Sequence, residues 1–419
     1  MHAHERTLRA LSLVAALPFV AALALVAPAA GRAASPTAEP ASGRLVVSLA
    51  SPSNAAGFLA STRGLGLTAK RGGAPGAVVL DTRGPGDETA IRVLAGWNGA
   101  SRIERAQRVT AFLTPTDPRY PEQWGLPAIS APAAWDSTTG TMGVTVAVVD
   151  TGVQLDHPDL VARVDTVNDY DFVNLDSDAS DDEGHGTHVA GIAAATMNNG
   201  AGGSGTAPGV AVLPIKVLDS KGTGWDSDVA DGIRWAADHG ADVINLSLGS
   251  SAPSTYEEDA VAYAQSAGCL VVAATGNDGG AVLSYPANYP GVIGVAAVDA
   301  TLQRAWFSNY GPHADISAPG VNILSTYLTS PPERGYKTLS GTSMATPFVA
   351  GVAALLKSAD PDATPALITS ALQSTAIDLG APGRDDYYGF GLVDAHAGLA
   401  RLIDITPPVT TASGIPTGW

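Results

Sequence analysis

One cysteine is all that this chain of 419 residues contains. Cys269 has no partner for an internal disulfide, so a packed core or bound ions must hold the fold together. Its setting, "GCLVVAATGN", is an apolar strand, which predicts a small buried hydrophobe rather than a reactive thiol. Basic residues are also scarce, with 23 Lys and Arg against 40 Asp and Glu, a net charge of −17. The shortage is uneven. Residues 35–113 hold nine Lys and Arg against five Asp and Glu, a net +4, while residues 114–419 hold 11 against 34, a net −23. Such an acidic excess argues against nucleic acid as a partner and leaves two roles open, docking of the basic segment on the acidic one and binding of cations. Most of those carboxylates are expected on a solvated surface.

Long apolar runs are missing as well, with one exception. Arg6 and Arg9 precede an apolar stretch from Ala10 to Val26, followed by Ala27-Pro28-Ala29. A basic start, a short apolar region and small residues form a secretory signal, expected over residues 1–34. The stretch is at the short limit for a membrane span, and no other segment is long or apolar enough, so no membrane association is expected after signal cleavage.

With 45% hydrophobic residues the chain can bury one large core and a smaller module. Residues 35–113 contain "RLVVSL", "GAVVLDT" and "SRIERAQRVTAFL" around Ala/Leu-rich pieces, which predicts a small α+β module. "TPTDPRYPEQWG" then reads as a proline-rich link. From Val144 the pattern changes. "VTVAVVD", "VAVLPIKVL", "DVINLSLG", "CLVVAATGN" and "VIGVAAVD" are β-branched runs with no polar alternation, the signature of strands buried on both faces, and helices fit between them over 226–239 and 256–267. The expected fold is α/β, helices on both sides of a mostly parallel sheet. No internal repeat is present. Residues 403–419, ending "TPPVTTASGIPTGW", read as a tail or the opening of a further domain.

The chemistry gathers where strands and helices end. Ser343 stands where a polar loop becomes an apolar helix: Ser340, Thr342 and Ser343 offer capping oxygens, Pro347 fits a first turn, and Val349, Val352, Ala353, Leu355 and Leu356 recur at helical spacing. A serine there is an ordinary cap unless a base lies nearby. Asp150 closes "VTVAVVD", and His185 opens a small-residue helix in "DEGHGTHVAGIAAA". The His185–His188 spacing is also compatible with metal binding, though no third nitrogen or sulfur ligand is evident. A serine becomes a nucleophile when an imidazole takes its proton and a carboxylate holds that ring in one tautomer. Asn277 in "ATGNDGG" supplies a donor for a developing oxyanion, and the helix-start N–H of Ser343 a second.

With "VVDTGVQLDHPDL", "HGTHVAG", "NLSLG", "ATGN" and "SGTSMATP" in that order, the chain resembles the subtilisin-like serine proteases, and especially their thermitase-like branch, over about Asp117 to Leu402. The resemblance implies a three-layer fold around a seven-stranded sheet and a secreted, monomeric serine endopeptidase with Asp150, His185 and Ser343 as triad and Asn277 as oxyanion residue. It implies that residues 35–113 are an inhibitory propeptide, bound in cis and assisting folding, ahead of a peptidase domain over 114–402. Protein or peptide substrates are expected to add as a strand along Ser247, Leu248 and Gly249 and along Ala274, Thr275 and Gly276. "YPANYP", over 285–290, matches a loop lining the pocket for the residue before the scissile bond, where an apolar side chain is expected.

Two oxygen-rich clusters imply structural Ca2+. In the first, Asp117, Asp159 and Asn199 fall on positions that match the strong calcium site of such proteases, and the resemblance implies that carbonyls of Thr196, Ala201 and Gly203 complete it. In the second, Asp171, Asn174, Asp176 and Asp178 match a thermitase-like site, with asparagine at one expected carboxylate. Two rival functions fare worse. Gly341-Thr342-Ser343-Met344-Ala345 approximates the nucleophile elbow of α/β-hydrolases, but those place acid and histidine after the serine, and only His396 follows here. A non-enzymatic surface protein, suggested by the tail, would have broken catalytic positions, and none is broken.

Overall fold

The structure is a computed structural model, and it describes residues 43–64, 67–82, 85–106, 114–330 and 335–405. The expected signal, the end of the basic segment and the tail beyond residue 405 lie outside the described residues. The chain divides into two compact units, 1–109 and 110–419.

In the first unit, β1 (Gly43–Leu49), α1 (Asn54–Gly64), β2 (Thr68–Arg71), β3 (Ala77–Thr82), α2 (Pro85–Trp97) and β4 (Ala100–Arg105) follow one another. The strands pair in the order β2-β3-β1-β4, antiparallel throughout. Alternate residues of β1 and β3, Leu45, Val47, Val78 and Leu80, face Phe58 of α1 and Ile91 of α2 in a core with no solvent exposure. The described elements of this unit are two helices and four antiparallel strands, β2 among them having no counterpart in the sequence reading.

The second unit opens with a 3-10 turn (Tyr120–Glu122), α3 (Gly125–Ala128) and α4 (Ala131–Trp135). The segment that reads as a link is packed into this unit: the Gln123 side chain donates to Ser204 O and accepts from Ser204 N, at 2.9 and 2.8 Å. There follow β5 (Thr145–Asp150), β6 (Tyr170–Asp171), α5 (His185–Ala194), β7 (Ala211–Lys216), α6 (Asp226–Asp238), β8 (Val243–Leu246), α7 (Thr255–Ser266), β9 (Leu270–Ala274) and β10 (Ile293–Val298). Then come β11 (Ile316–Pro319), the hairpin strands β12 (Ile323–Thr326) and β13 (Tyr336–Leu339), α8 (Thr342–Ala359), α9 (Pro365–Thr375) and α10 (Ala395–Ile405).

Seven strands form one parallel sheet, ordered β11-β10-β9-β8-β5-β7-β6. The unbroken apolar runs follow from this arrangement. In β5, Val146 and Val148 join the core under α5 and α8, while Ala147 and Val149 join the core under α6 and α7. Cys269 is buried, its thiol donating to Ala241 O at 3.0 Å, and burial pushes its pKa up to about 11, as an inert small residue should. From β5 the sheet grows in both directions, so its carboxyl edge there is the switch point at which open α/β sheets place their sites.

Candidate active site

Asp150 is the last residue of β5 and has no solvent exposure. Its Oδ1 accepts the Thr151 N–H and faces His185 Nδ1, each at 2.7 Å, while Oδ2 has no hydrogen-bond partner. His185 reaches it because Gly186 lets α5 sit against the strand end. A Cβ on Gly186 would lie 2.1 Å from Gly152 O and 3.1 Å from Asp150 Cβ. Burial opposes a charge on His185, but Asp150, with Glu183 and Asp181 behind, outweighs it, so the imidazole pKa is raised above its ordinary value. His188, one turn on, faces away to other partners. Its buried Nε2 bonds the carbonyls of Ile323 and Lys337, and burial holds its pKa down at about 3.

Ser343 lies in the first turn of α8, and its hydroxyl is not a cap: Gly341 occupies the cap position without a side-chain bond, and Ser340 Oγ accepts from Asn322 N instead. The Ser343 hydroxyl donates to Ser247 O at 3.0 Å, and the Ser247 hydroxyl donates to Ser343 O at 2.8 Å. Pro347 makes this exchange possible. It sits inside the helix rather than at its first turn. Residue 347 would normally donate its N–H to Ser343 O, and proline has none, so that carbonyl is free for Ser247. Ser343 and His185 line the same cavity without a hydrogen bond between them, which catalytic pairs often lack before substrate arrives.

Asn277 follows β9, and its Oδ1 accepts from both Thr342 N (2.8 Å) and Thr342 Oγ1 (3.0 Å). Those two donors fix which end of the amide is oxygen, leaving Nδ2 without a partner among the described residues, beside the α8 N-terminus. Thr342, which also accepts the Gly276 N–H at 3.2 Å, is a positioning residue that sequence reasoning missed. So is Asn245, which donates to Ser247 Oγ at 2.9 Å.

Ser247, Leu248 and Gly249 follow β8, and Ala274 ends β9 with Thr275 and Gly276 after it, so two neighbouring strand ends flank Ser343. Thr275 turns its side chain inward to Val295 O. A cleft of about 390 Å³ lies between these segments, bounded by Leu248, Ala274, Val282, Leu283 and Ser284. The "YPANYP" expectation needs correction here. The residues just before it line the cleft, and Tyr285 braces the wall by two 2.9 Å backbone bonds with Ser250. A register bond of this kind has no local sequence signal.

Of the first oxygen cluster, the three side-chain members are neighbours. Asp117 and Asp159 are buried, and Asn199 bridges them, its backbone N–H to Asp117 Oδ1 at 3.0 Å and its Nδ2 to Asp159 Oδ1 at 2.7 Å. Thr196 N donates to Asp159 O, Ala201 N to Asn199 Oδ1, and Gly203 N to the Asp159 carboxylate. Burial raises the Asp159 pKa despite the Asn199 and Tyr336 hydrogen bonds. No lysine or arginine forms an ion pair with either carboxylate among the described residues. The carboxylates accept N–H groups here, Asp117 from Asn198, Asn199 and Gly200 and Asp159 from Asn199 and Gly203, and two buried anions with no basic partner fit a hard cation. The second cluster differs. Asp171 caps the N–H groups of Val173 and Asn174, Asp176 that of Asp178, and Asp178 that of Ser180, so each carboxylate is spent on its own turn. Among the described residues, no three His, Cys, Asp or Glu side chains converge as a metal site.

A seven-stranded parallel sheet with an aspartate, a histidine and a serine meeting at its switch point defines a class, and the subtilase family matches residues 141–391. The chain belongs to the subtilase family and is a serine-type endopeptidase. It is 47% identical over 284 residues to thermitase of Thermoactinomyces vulgaris, covering 68% of this chain and 98% of that protein. It is 46% identical over 274 residues to subtilisin Savinase of Lederbergia lenta, covering 65% and 97%. Among solved structures, one described as proteases from Pseudoalteromonas arctica PAMC 21717 superposes with a TM-score of 0.64 at 40% identity, over 69% of this chain and all of that one.

Proposed function

We propose that Ser343, His185, Asp150 and Asn277 carry out peptide hydrolysis in a secreted, self-processed zymogen. The single observation that carries this reading is the 2.7 Å contact of His185 Nδ1 with buried Asp150, on the cavity that Ser343 also lines. Ser343 Oγ attacks the scissile carbonyl carbon and its proton passes to His185 Nε2. The Asp150 carboxylate, with one oxygen otherwise unpaired, stabilises the imidazolium. The carbonyl oxygen, now negative, takes Asn277 Nδ2–H and the Ser343 N–H, which as a first-turn helix donor has no intrahelical acceptor. The intermediate collapses, His185 protonates the leaving amine, and an ester remains on Ser343. Water, deprotonated by His185, attacks that ester by the same route and frees the carboxylic acid and the serine.

Leu248, Ala274, Val282 and Leu283 among the walls support an apolar side chain before the scissile bond, beside the polar Ser284 and Asp278. Main-chain pairing along Ser247–Gly249 supports broad sequence tolerance. The Arg6 to Ala29 pattern supports export, and the first unit's own core and net positive charge support a propeptide that docks on an acidic partner. The Asp117/Asp159/Asn199 cluster would hold one structural Ca2+, with the Asn199 amide offering its oxygen. The test is intact mass over time for the purified proform and its Ser343→Ala variant in calcium-containing buffer. Loss of about 110 residues from the native chain alone supports the assignment; equal processing of both chains overturns the self-cleavage.

A further inference from the structure

A second cavity, of about 550 Å³, is lined by His185 and Ser343, by Leu218 and Val229, and by Trp225, Asp226 and Glu257. It shares Leu248, Gly249 and Ser250 as a wall with the 390 Å³ cleft, so the two hollows flank one strand-like segment. Side chains of an extended substrate alternate in direction every residue. If the residue before the scissile bond enters the cleft, the second and fourth residues on the amino side face this other cavity. The second then lies by His185, and the fourth, about 7 Å further along, reaches the Glu257 end.

That end is unusual in its chemistry. Glu257 is buried, 3% exposed, in the first turn of α7. Ser254 is the N-cap, so Glu257 occupies the place from which a capping-box glutamate would reach back to the Ser254 N–H. It does not. The Tyr289 hydroxyl accepts that N–H at 2.7 Å, and its oxygen lies 2.9 Å from Ser254 O and 3.0 Å from Glu257 Oε2, either of which can take its one proton. Tyr289 has taken over the glutamate's half of the capping box, and the Glu257 carboxyl lines the cavity, with Tyr289 its only side-chain partner among the described residues. Burial pushes its pKa up to about 7, with Asp226 across from it on α6 adding to the rise. The other charged groups on the cavity are Glu183 and His185 at the near end and Lys221 on the exposed rim; Glu258 follows on α7. Three carboxyl groups thus face one lysine, while Leu218, Val229 and Leu248 provide an apolar path for a methylene stem.

We propose that this cavity is a specificity pocket for a basic side chain, lysine or arginine, at the fourth residue before the scissile bond, with Glu257 and Asp226 as its counter-charges. The inference rests on the proposed placement of Ser343 and Asn277 at the scissile bond. Its test uses the mature enzyme and peptides of the form Xaa-Ala-Pro-Phe-p-nitroanilide, with Xaa lysine, the neutral norleucine of similar length, or glutamate, at low ionic strength. At pH 9 the kcat/KM for lysine exceeds that for norleucine by about tenfold, the size expected of one partly desolvated charge pair, and glutamate is poorest. The lysine-to-norleucine ratio falls on going to pH 6, as Glu257 takes up a proton. His185 titration cancels in that ratio. Glu257→Gln brings the ratio near one at both pH values. Asp226→Asn, at an exposed site with little consequence for folding, lowers it in part. Equal rates for lysine and norleucine at pH 9 overturn the pocket while leaving the endopeptidase reading intact; cleavage of none of the peptides refutes that reading, and this inference with it.

Discussion

Replacing Thr342 by valine separates the placing of the oxyanion donor from the donor itself. The swap keeps shape in a site with no solvent exposure. It removes one of the two bonds that hold Asn277 Oδ1, the 3.0 Å hydroxyl contact, and keeps the 2.8 Å backbone one. It also deprives the Gly276 N–H of its 3.2 Å acceptor. One hydrogen bond is worth about 1 kcal/mol net, and an orphaned donor costs about 1 to 2 kcal/mol more. The first quantity loosens a group that matters only when negative charge develops, so kcat is expected to fall about fivefold with KM nearly unchanged. The second appears as a melting temperature lower by about 3 to 6 °C. Asn277→Ala removes the donor outright and should cost about 100- to 1000-fold in kcat. The decisive assay is the double-mutant cycle on a chromogenic peptide. Once Asn277 is alanine, Thr342→Val should reduce kcat little further. A full additional fivefold loss in the double variant would refute the claim that Thr342 acts through Asn277.

Two other outcomes are expected. Because the His185 pKa is raised, and the ring must be neutral to accept the serine proton, the acid limb of kcat/KM should lie above pH 6.5; Glu183→Gln, which removes one of the charges raising that pKa, should move the limb to lower pH, and an unmoved profile contradicts the electrostatic account. Removing Ca2+ with EDTA from a solution that held it at about 100 times its Kd should cost about 2.7 kcal/mol, or 5 to 10 °C in melting temperature, with Asp159→Asn abolishing the difference; a melting temperature indifferent to EDTA in the native protein rules out the Asp117/Asp159 ion.

The central strands were legible because burial on both faces leaves a mark on sequence: β5, β7, β8, β9 and β10 all fall within apolar runs, and α6 and α7 begin and end within a residue of their expected limits. Two-residue β6 and the β12–β13 hairpin left no such mark, being too short for any periodicity. The positions of Asp150, His185, Ser343 and Asn277 could be read from their glycine-flanked places at element ends. Their supports could not. Thr342 reaches Asn277 across 65 positions, Ser247 reaches Ser343 across 96, and Tyr289 replaces half of a local capping box from 35 residues away. Side chain to backbone bonds of that span follow from the packing of distant elements and carry no periodic signal. Pro347 shows the same limit, since a proline that suits a helix start is here used inside the helix to release a carbonyl.

The crossed bonds between Ser247 and Ser343 also set how the nucleophile rests between turnovers. On the proposed mechanism the Ser343 hydroxyl would exchange the Ser247 carbonyl for His185, so activation would be a change of partner by rotation about a single side-chain bond. Such rotations take on the order of nanoseconds or less, against a turnover of about 1 to 1000 per second. Parking the proton on a binding strand thus costs about one hydrogen bond and no measurable time, and it keeps the hydroxyl turned away from wandering electrophiles until a substrate strand arrives.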